Sequence, residues 1–203
     1  MPRSSALVIV ALLGCLGTGS VAMADSQPAQ NNDCVDEIAA ASIRHGVPAA
    51  LLYAVAVTES GRVHHNGQIR PWAFAVNVSG GSHQFDSAED AVAAVRRAQA
   101  RREKSIDVGC LQINLQHHPN AFSSLETSFD PRANVEYGTQ YLSNLYKKFG
   151  NWTSAVAFYH SATPYHQWEY VCRVHARLVQ YGLAPAGECA KLRQVMNQTS
   201  FRP

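Results

Sequence analysis

The chain has 203 residues, 46% of them apolar and 16% charged, with a formal net charge of +2. That suffices for one domain with a sizeable core and is short for two. A charge so near zero, with no basic stripe, excludes a nucleic-acid footprint; an anionic polymer as substrate is neither required nor forbidden.

The first 24 residues read as a secretory leader. Arg3 supplies the positive start, Ala6 to Val21 the apolar run, and Ala22-Met23-Ala24 a small-x-small cleavage site before Asp25. A rival reading takes Leu12-Leu13-Gly14-Cys15 as a lipoprotein box, which would leave a lipid on Cys15. No later stretch is apolar and long enough to span a bilayer. Residues 25–32 are a polar, flexible lead-in. One domain is expected over residues 33–203. Cleavage at Ala24 leaves four cysteines, Cys34, Cys110, Cys172 and Cys189. In an exported chain an even number points to disulfides, here with three possible connectivities. Cys172 and Cys189 are close enough in sequence to tie adjacent helices, which would leave Cys34 with Cys110.

Cys34 to His45 is a predicted helix with Ile38, Ala41 and either Ser42 or Ile43 inward, ended by Gly46. The next helix organises the chain. Pro48 suits its first position and Gly61 its stop. Leu52, Val55, Ala56 and Glu59 follow i, i+3, i+4, i+7 and share a stripe, three apolar residues and then a carboxyl group. Partial burial and the negative end of the helix both disfavour the ionised carboxylate, so Glu59 is expected to hold its proton unusually well. That is what a general acid working near neutral pH needs. The plainer alternative is a last-turn glutamate that points into water.

Arg62 to Arg70 has no apolar period and reads as a loop. Trp72 to Val78, Gly80-Gly81 and His83 to Phe85 read as a small β-hairpin. Asp86 or Ser87 caps a helix to about Arg102 with Ala88, Val92 and Val95 inward. Asp130-Pro131 is a cap and first-turn proline; that helix runs to Phe149, with Val135, Tyr141, Leu142 and Leu145 inward, and stops at Gly150. Thr153 to His160 and Tyr165 to Tyr181 are two more helices, and Gly187 to Met196 a last amphipathic piece. The class is mainly α, a single domain with a small β-hairpin insertion.

Three stretches stand beside Glu59. Asp107 to Asn114 carries Gly109, which lets the backbone approach closely, and the amides of Gln112 and Asn114, which suit sugar hydroxyls and N-acetyl groups. Its plainer reading is a turn, then a helix start with solvated amides. Ala155 to Ser161 is a short apolar helix ending in Tyr159 and His160. In Trp168 to Val174, Val171 and Val174 face in, so Tyr170 is expected at the edge, where packing alone would explain it.

Together, Glu59-Ser60, Gly109-x-x-Gln112-x-Asn114, Tyr159-His160 and Tyr170-Val171 resemble, in order and spacing, the soluble-type lytic transglycosylases over roughly residues 34–176. The nearest likeness is to small exported members, some of which serve secretion or conjugation machines. The resemblance implies a lysozyme-like (goose-type) fold with Glu59 as the single catalytic acid and base. Ser60, Gln112, Asn114, Tyr159, His160 and Tyr170 would contact substrate. Cys110 stands where leucine is usual, and His160 where asparagine is usual, so the chain departs from the family pattern at those two positions. The implied partner is the glycan strand of peptidoglycan, met in the periplasm by a monomer that needs no cofactor and no metal. Glu59 would protonate the bond between N-acetylmuramic acid and N-acetylglucosamine. It would then take the proton of the muramyl 6-hydroxyl, which closes a 1,6-anhydro ring. No second carboxylate is required, and Asp107 is given no catalytic part.

Other readings are weaker. The pairs His64-His65 and His117-His118 lack any H-E-x-x-H or C-x-x-C companion, so a metal site is not expected. A cysteine peptidase built on Cys110 conflicts with a disulfide. A lysozyme-type hydrolase on the same fold and a non-catalytic glycan-binding assembly factor remain as rivals.

Overall fold

The structure is a computed structural model that describes residues 34–187 together with Met1 and Cys189. The leader, the Cys15 lipoprotein box, the lead-in and most of the last amphipathic piece lie outside the described residues.

Helix α1 (Cys34–His45) and helix α2 (Ala49–Ser60) form where their end signals put them. In α1, Ser42 is the buried residue, while Ile43 stands 85% exposed. Gly61 closes α2 through its N–H to the Val57 carbonyl, 3.1 Å away. The stripe reading of α2 is too narrow. Ala54 and Val57 are buried as fully as Leu52, Val55 and Ala56, so the helix is enclosed on most sides. A helix that is apolar nearly all round belongs in a core, and α2 packs against α1 and the last described helix.

The segment expected as a loop is instead a second hairpin, β1 (Arg62–Val63) against β2 (Ile69–Arg70). Two-residue strands are too short to show a period of two. Beyond it, β3 (Ala75–Val78) pairs with β4 (Gly81–Gln84). The connection is Ser79-Gly80, both at positive φ, the geometry of a two-residue hairpin turn, one residue earlier than the expected Gly80-Gly81. The hairpin is not isolated. Strands β5 (Ile106–Val108) and β6 (Ile113–Asn114) extend it to an antiparallel sheet of order β4-β3-β5-β6. Asp107 to Asn114 is therefore strand, turn and strand, not the start of a helix.

Helix α3 (Ala88–Ala100) is capped by the Ser87 hydroxyl, which accepts from the Asp90 N–H, and turns Ala91, Val92, Val95 and Ala98 inward. A short 3₁₀ turn (Thr127–Phe129) leads into α4 (Pro131–Phe149), capped by Asp130 and stopped by Gly150 at φ +74°. Helix α5 (Trp152–His160) has an Asn151 cap, and α6 (Pro164–Gln180) ends the described helices. Helix α4 packs on α1 and α5, and α6 on α5 and α2, so five helices surround one core beside the sheet. This is the mainly α architecture with a small antiparallel element that was expected.

The disulfides join Cys34 to Cys110 and Cys172 to Cys189. The first ties α1 to the turn between β5 and β6.

That turn is held by Asn134, a fully buried residue of α4. Its Oδ1 accepts from the Leu111 N–H at 2.9 Å, and its Nδ2 donates to the carbonyls of Val108 (2.9 Å) and Ser128 (3.0 Å). Gly109 sits at φ +81°, and a Cβ there would fall on the Asn134 amide. Asn134→Ala should leave three backbone groups unpaired in the core and cost roughly 2–3 kcal/mol. Urea unfolding checks this, and a loss below about 0.5 kcal/mol would mean the clamp is dispensable.

Candidate active site

A cleft of about 950 Å³ opens between the sheet and helices α4, α5 and α6, with Glu59 of α2 on its lining. Glu59 lies in the last turn of α2 and is half-buried. Burial in this setting raises its pKa from 4.5 to about 7; the nearby Asp107 pushes the same way, while the Tyr170 hydroxyl and Arg173 pull against them. Desolvation leads, as burial of the apolar stripe suggested.

Tyr170 is not at an edge. It is completely buried, because Gln167, Tyr170, Val171 and Val174 form the inward stripe of α6. Gln167 hid this stripe, since a polar residue interrupts an apolar pattern. The Tyr170 hydroxyl makes no hydrogen bond of full geometry among the described residues, but it stands close enough to Glu59 to favour the carboxylate as a donor. Phenol and carboxyl are thus neighbours. The ring of Tyr170 is covered by His160, stacked at 4.3 Å and 6°. Loss of solvation against that ring, with the charges of Arg173 and His166, pushes His160 down to about 4. The imidazole is therefore neutral at physiological pH, and it stands exposed at the cleft.

The remaining candidates divide. Ser60 is 2% exposed, and its hydroxyl donates to the Cys110 carbonyl at 2.7 Å and accepts from the Trp72 N–H at 3.1 Å. It fixes the end of α2 against the turn and does not face the cleft. Asn114 lines the cleft, but its amide is taken up: Nδ2 donates to Asp107 at 2.7 Å, and Oδ1 accepts from the N–H groups of Gln116 and His117. Gln112, at φ +46°, uses its Nε2 on the carbonyls of Ala75 and Gly109, which leaves its carbonyl oxygen for a ligand. The Tyr159 hydroxyl donates to the Leu111 carbonyl at 2.8 Å, a reach made possible by the absence of a side chain at Gly138. Asp107 is a second cleft carboxyl, and burial raises its pKa while the Asn114 amide opposes this.

Residues that the sequence analysis does not assign to the site also line the cleft. Leu145 is in the core and Tyr141 packs against it, as expected, and both also reach the cleft, where they form its helical wall with Phe149, which stacks on Phe158 at 4.2 Å. Their i, i+4, i+8 spacing is visible in the sequence, but a cleft-facing stripe and a core-facing stripe look alike there. His118 also lines the cleft, its Nδ1 2.9 Å from the Tyr137 hydroxyl, and burial lowers its pKa. His64 lies edge-on to Trp72, away from that pair.

A protein-family model described as "Transglycosylase SLT domain" matches residues 36–169. No curated protein and no solved structure matches.

Proposed function

The chain belongs to the transglycosylase SLT domain family, and from that premise we propose that it cleaves peptidoglycan strands as a lytic transglycosylase. One observation carries the proposal: among the described residues Glu59 is the only carboxyl at a helix end on the cleft lining, in surroundings whose desolvation pushes its pKa up to about 7. An ordinary carboxyl would have lost its proton by that pH. Protonated Glu59 gives its proton to the glycosidic oxygen, and the bond from that oxygen to the muramyl anomeric carbon breaks. The neighbouring N-acetyl group stabilises the positive centre. The Glu59 carboxylate then takes the proton of the 6-hydroxyl as its oxygen bonds to the anomeric carbon. The acid is restored, and a 1,6-anhydro ring ends the product. Tyr170 acts in the middle of the cycle, when its hydroxyl donates to the carboxylate.

The test is mass spectrometry of purified peptidoglycan after digestion. Muropeptides ending in 1,6-anhydro-N-acetylmuramic acid are the expected product. A second reading, hydrolysis, is favoured by the presence of Asp107 in the same cleft, near enough to influence Glu59. It predicts reducing ends instead. Asp107→Asn separates the two by rate as well. Under the first reading it keeps activity within roughly tenfold and moves the alkaline limb of the pH profile down, because one negative neighbour of Glu59 is gone. Under the second, activity falls by 10² or more.

Tyr170→Phe should move the same limb the other way. It removes the group that favours ionised Glu59, so the acid holds its proton to higher pH. A kcat profile from pH 5 to 9 reads both shifts; an unmoved limb in Tyr170→Phe would sink the proposed coupling. The leader read in residues 1–24 would deliver the enzyme to the periplasm, where local wall opening for a secretion or conjugation machine is a fitting task. Accumulation of the unprocessed chain in the cytoplasm would count against this.

A further inference from the structure

The two walls of the cleft differ in charge. The sheet side presents neutral polar groups, Asn77, Ser82, Ser105, Gln112 and Asn114, around the single carboxyl of Asp107. The helical side presents cations. Lys148 of α4 extends beside the Phe149 ring, 5.1 Å from its centroid, and Phe149 stacks on Phe158 of α5. Arg173 of α6 lies over the Tyr170 ring at 5.5 Å, and His160 covers another part of that ring. Both cations line the cleft.

Neither forms a salt bridge among the described residues, although Arg173 is near enough to Glu59 to act on its carboxyl. Arg44, Arg62, Arg96 and Arg101 all stand within 4.0 Å of a carboxylate, whereas Lys148 and Arg173 have no such partner among the described residues. An aromatic ring lies beside each charged end, Phe149 at the Lys148 ammonium and Tyr170 at the Arg173 guanidinium, and both residues line the cleft. A neutral amino sugar has no use for them. Its hydroxyl and N-acetyl groups match the amides and hydroxyls of the opposite wall.

We infer that Lys148 and Arg173 form a carboxylate-recognising subsite on the helical wall, which sets the lateral orientation of the bound strand and selects glycans that bear carboxylates. This rests on the proposed glycan substrate. The carboxylate has two sources: the lactyl ether of a muramyl residue without peptide, or the acidic residues of a stem peptide. Arg173 also influences Glu59, so a bound carboxylate near it links recognition of the strand to the acid.

Binding measured on the Glu59→Gln protein, which holds a strand without cutting it, tests the inference independently of turnover. Three ligands of equal length are compared by calorimetry: an N-acetylglucosamine oligomer, a peptide-free muramyl oligomer, and the same oligomer with stem peptides. At least one carboxylate-bearing ligand should bind about tenfold more tightly than the first. Lys148→Gln and Arg173→Gln should each remove about threefold of that advantage, and together nearly all of it, in line with exposed charge pairs. The advantage should also shrink as salt is raised. Lys148→Gln lies on an exposed helix position and should fold normally. An advantage already present in the peptide-free oligomer assigns the subsite to the lactyl carboxylate; one confined to the third ligand assigns it to the stem. Equal binding of all three, or an advantage that survives the double substitution, overturns the inference. Loss of anhydro product in the digestion assay, with these binding differences intact, would instead refute the proposed chemistry alone.

Discussion

Glu59→Gln is expected to lower the rate of anhydro-muropeptide release by about 10³ or more, with the glycan still bound. A positioned proton donor contributes 10²–10⁴ on its own. Here one group is both donor and acceptor, so the amide fails at both steps. The same substitution should stabilise the protein near neutral pH. Burial raises the Glu59 pKa from 4.5 to about 7, so folding favours the protonated form. The stability it contributes is fully present below about 4.5 and is lost as pH rises through about 7. An uncharged amide of the same shape avoids that loss, worth on the order of 3 kcal/mol at pH 8 as an upper estimate. Thermal melts of both proteins at pH 5 and pH 8 should show the mutant ahead at the higher pH and the gap closing at the lower. A mutant that cuts at the wild-type rate would remove Glu59 from the mechanism. One that melts no higher at pH 8 would mean the carboxyl is better solvated than its setting implies.

Replacing both Cys34 and Cys110 with alanine is the substitution expected to weaken the fold most. The bond closes a loop of 76 residues, for which the chain-entropy model gives about 4.5 kcal/mol. Both cysteines are fully buried, so the alanines also leave small voids. The effect should reach the site. Cys110 lies in the turn between β5 and β6, and its carbonyl accepts the Ser60 hydroxyl next to Glu59. Turnover should therefore fall before the protein unfolds, since a loosened turn frees the end of α2. Urea midpoints and kcat at 25 °C read the two effects. An unchanged midpoint would mean that the two thiols are not joined in the folded protein.

Much of the helical frame was legible because its signals are local. Asp130-Pro131 and Gly150 bracket α4 as written, and Ser87 and Asn151 cap α3 and α5 by accepting from the backbone N–H three residues on. Such caps need no distant partner to act. The sheet was half legible. The β3–β4 hairpin is legible from its glycines, though Gly80-Gly81 puts the turn one residue late, whereas β5 and β6 are two or three residues long and acquire their strand character only from pairing. Pairing across distant segments leaves no periodic trace in so short a run.

The candidate site divides along the same line. Residue types and their order placed Glu59 at the end of a greasy helix and Gly109 in a close turn. Neither Asn134 nor Gly138 drew notice, because a buried asparagine on α4 reads like a solvated one until the carbonyls of Val108 and Ser128 are brought to it. Ser60 was expected at the substrate, but the turn carrying Cys110 claims its hydroxyl.

The sequence by itself determined where helices start and stop, which carboxyl ends an apolar stripe, and which cysteines are available, since each depends on neighbours within a few residues. Only the tertiary structure decided that Tyr170 stands buried beside Glu59, that desolvation pushes the pKa of the acid up to about 7, and that two cations without a salt bridge among the described residues share one wall of its cleft. Those properties belong to surroundings assembled from α2, α4, α5, α6 and the sheet, and solvent exclusion and field at a point depend on every segment that reaches it.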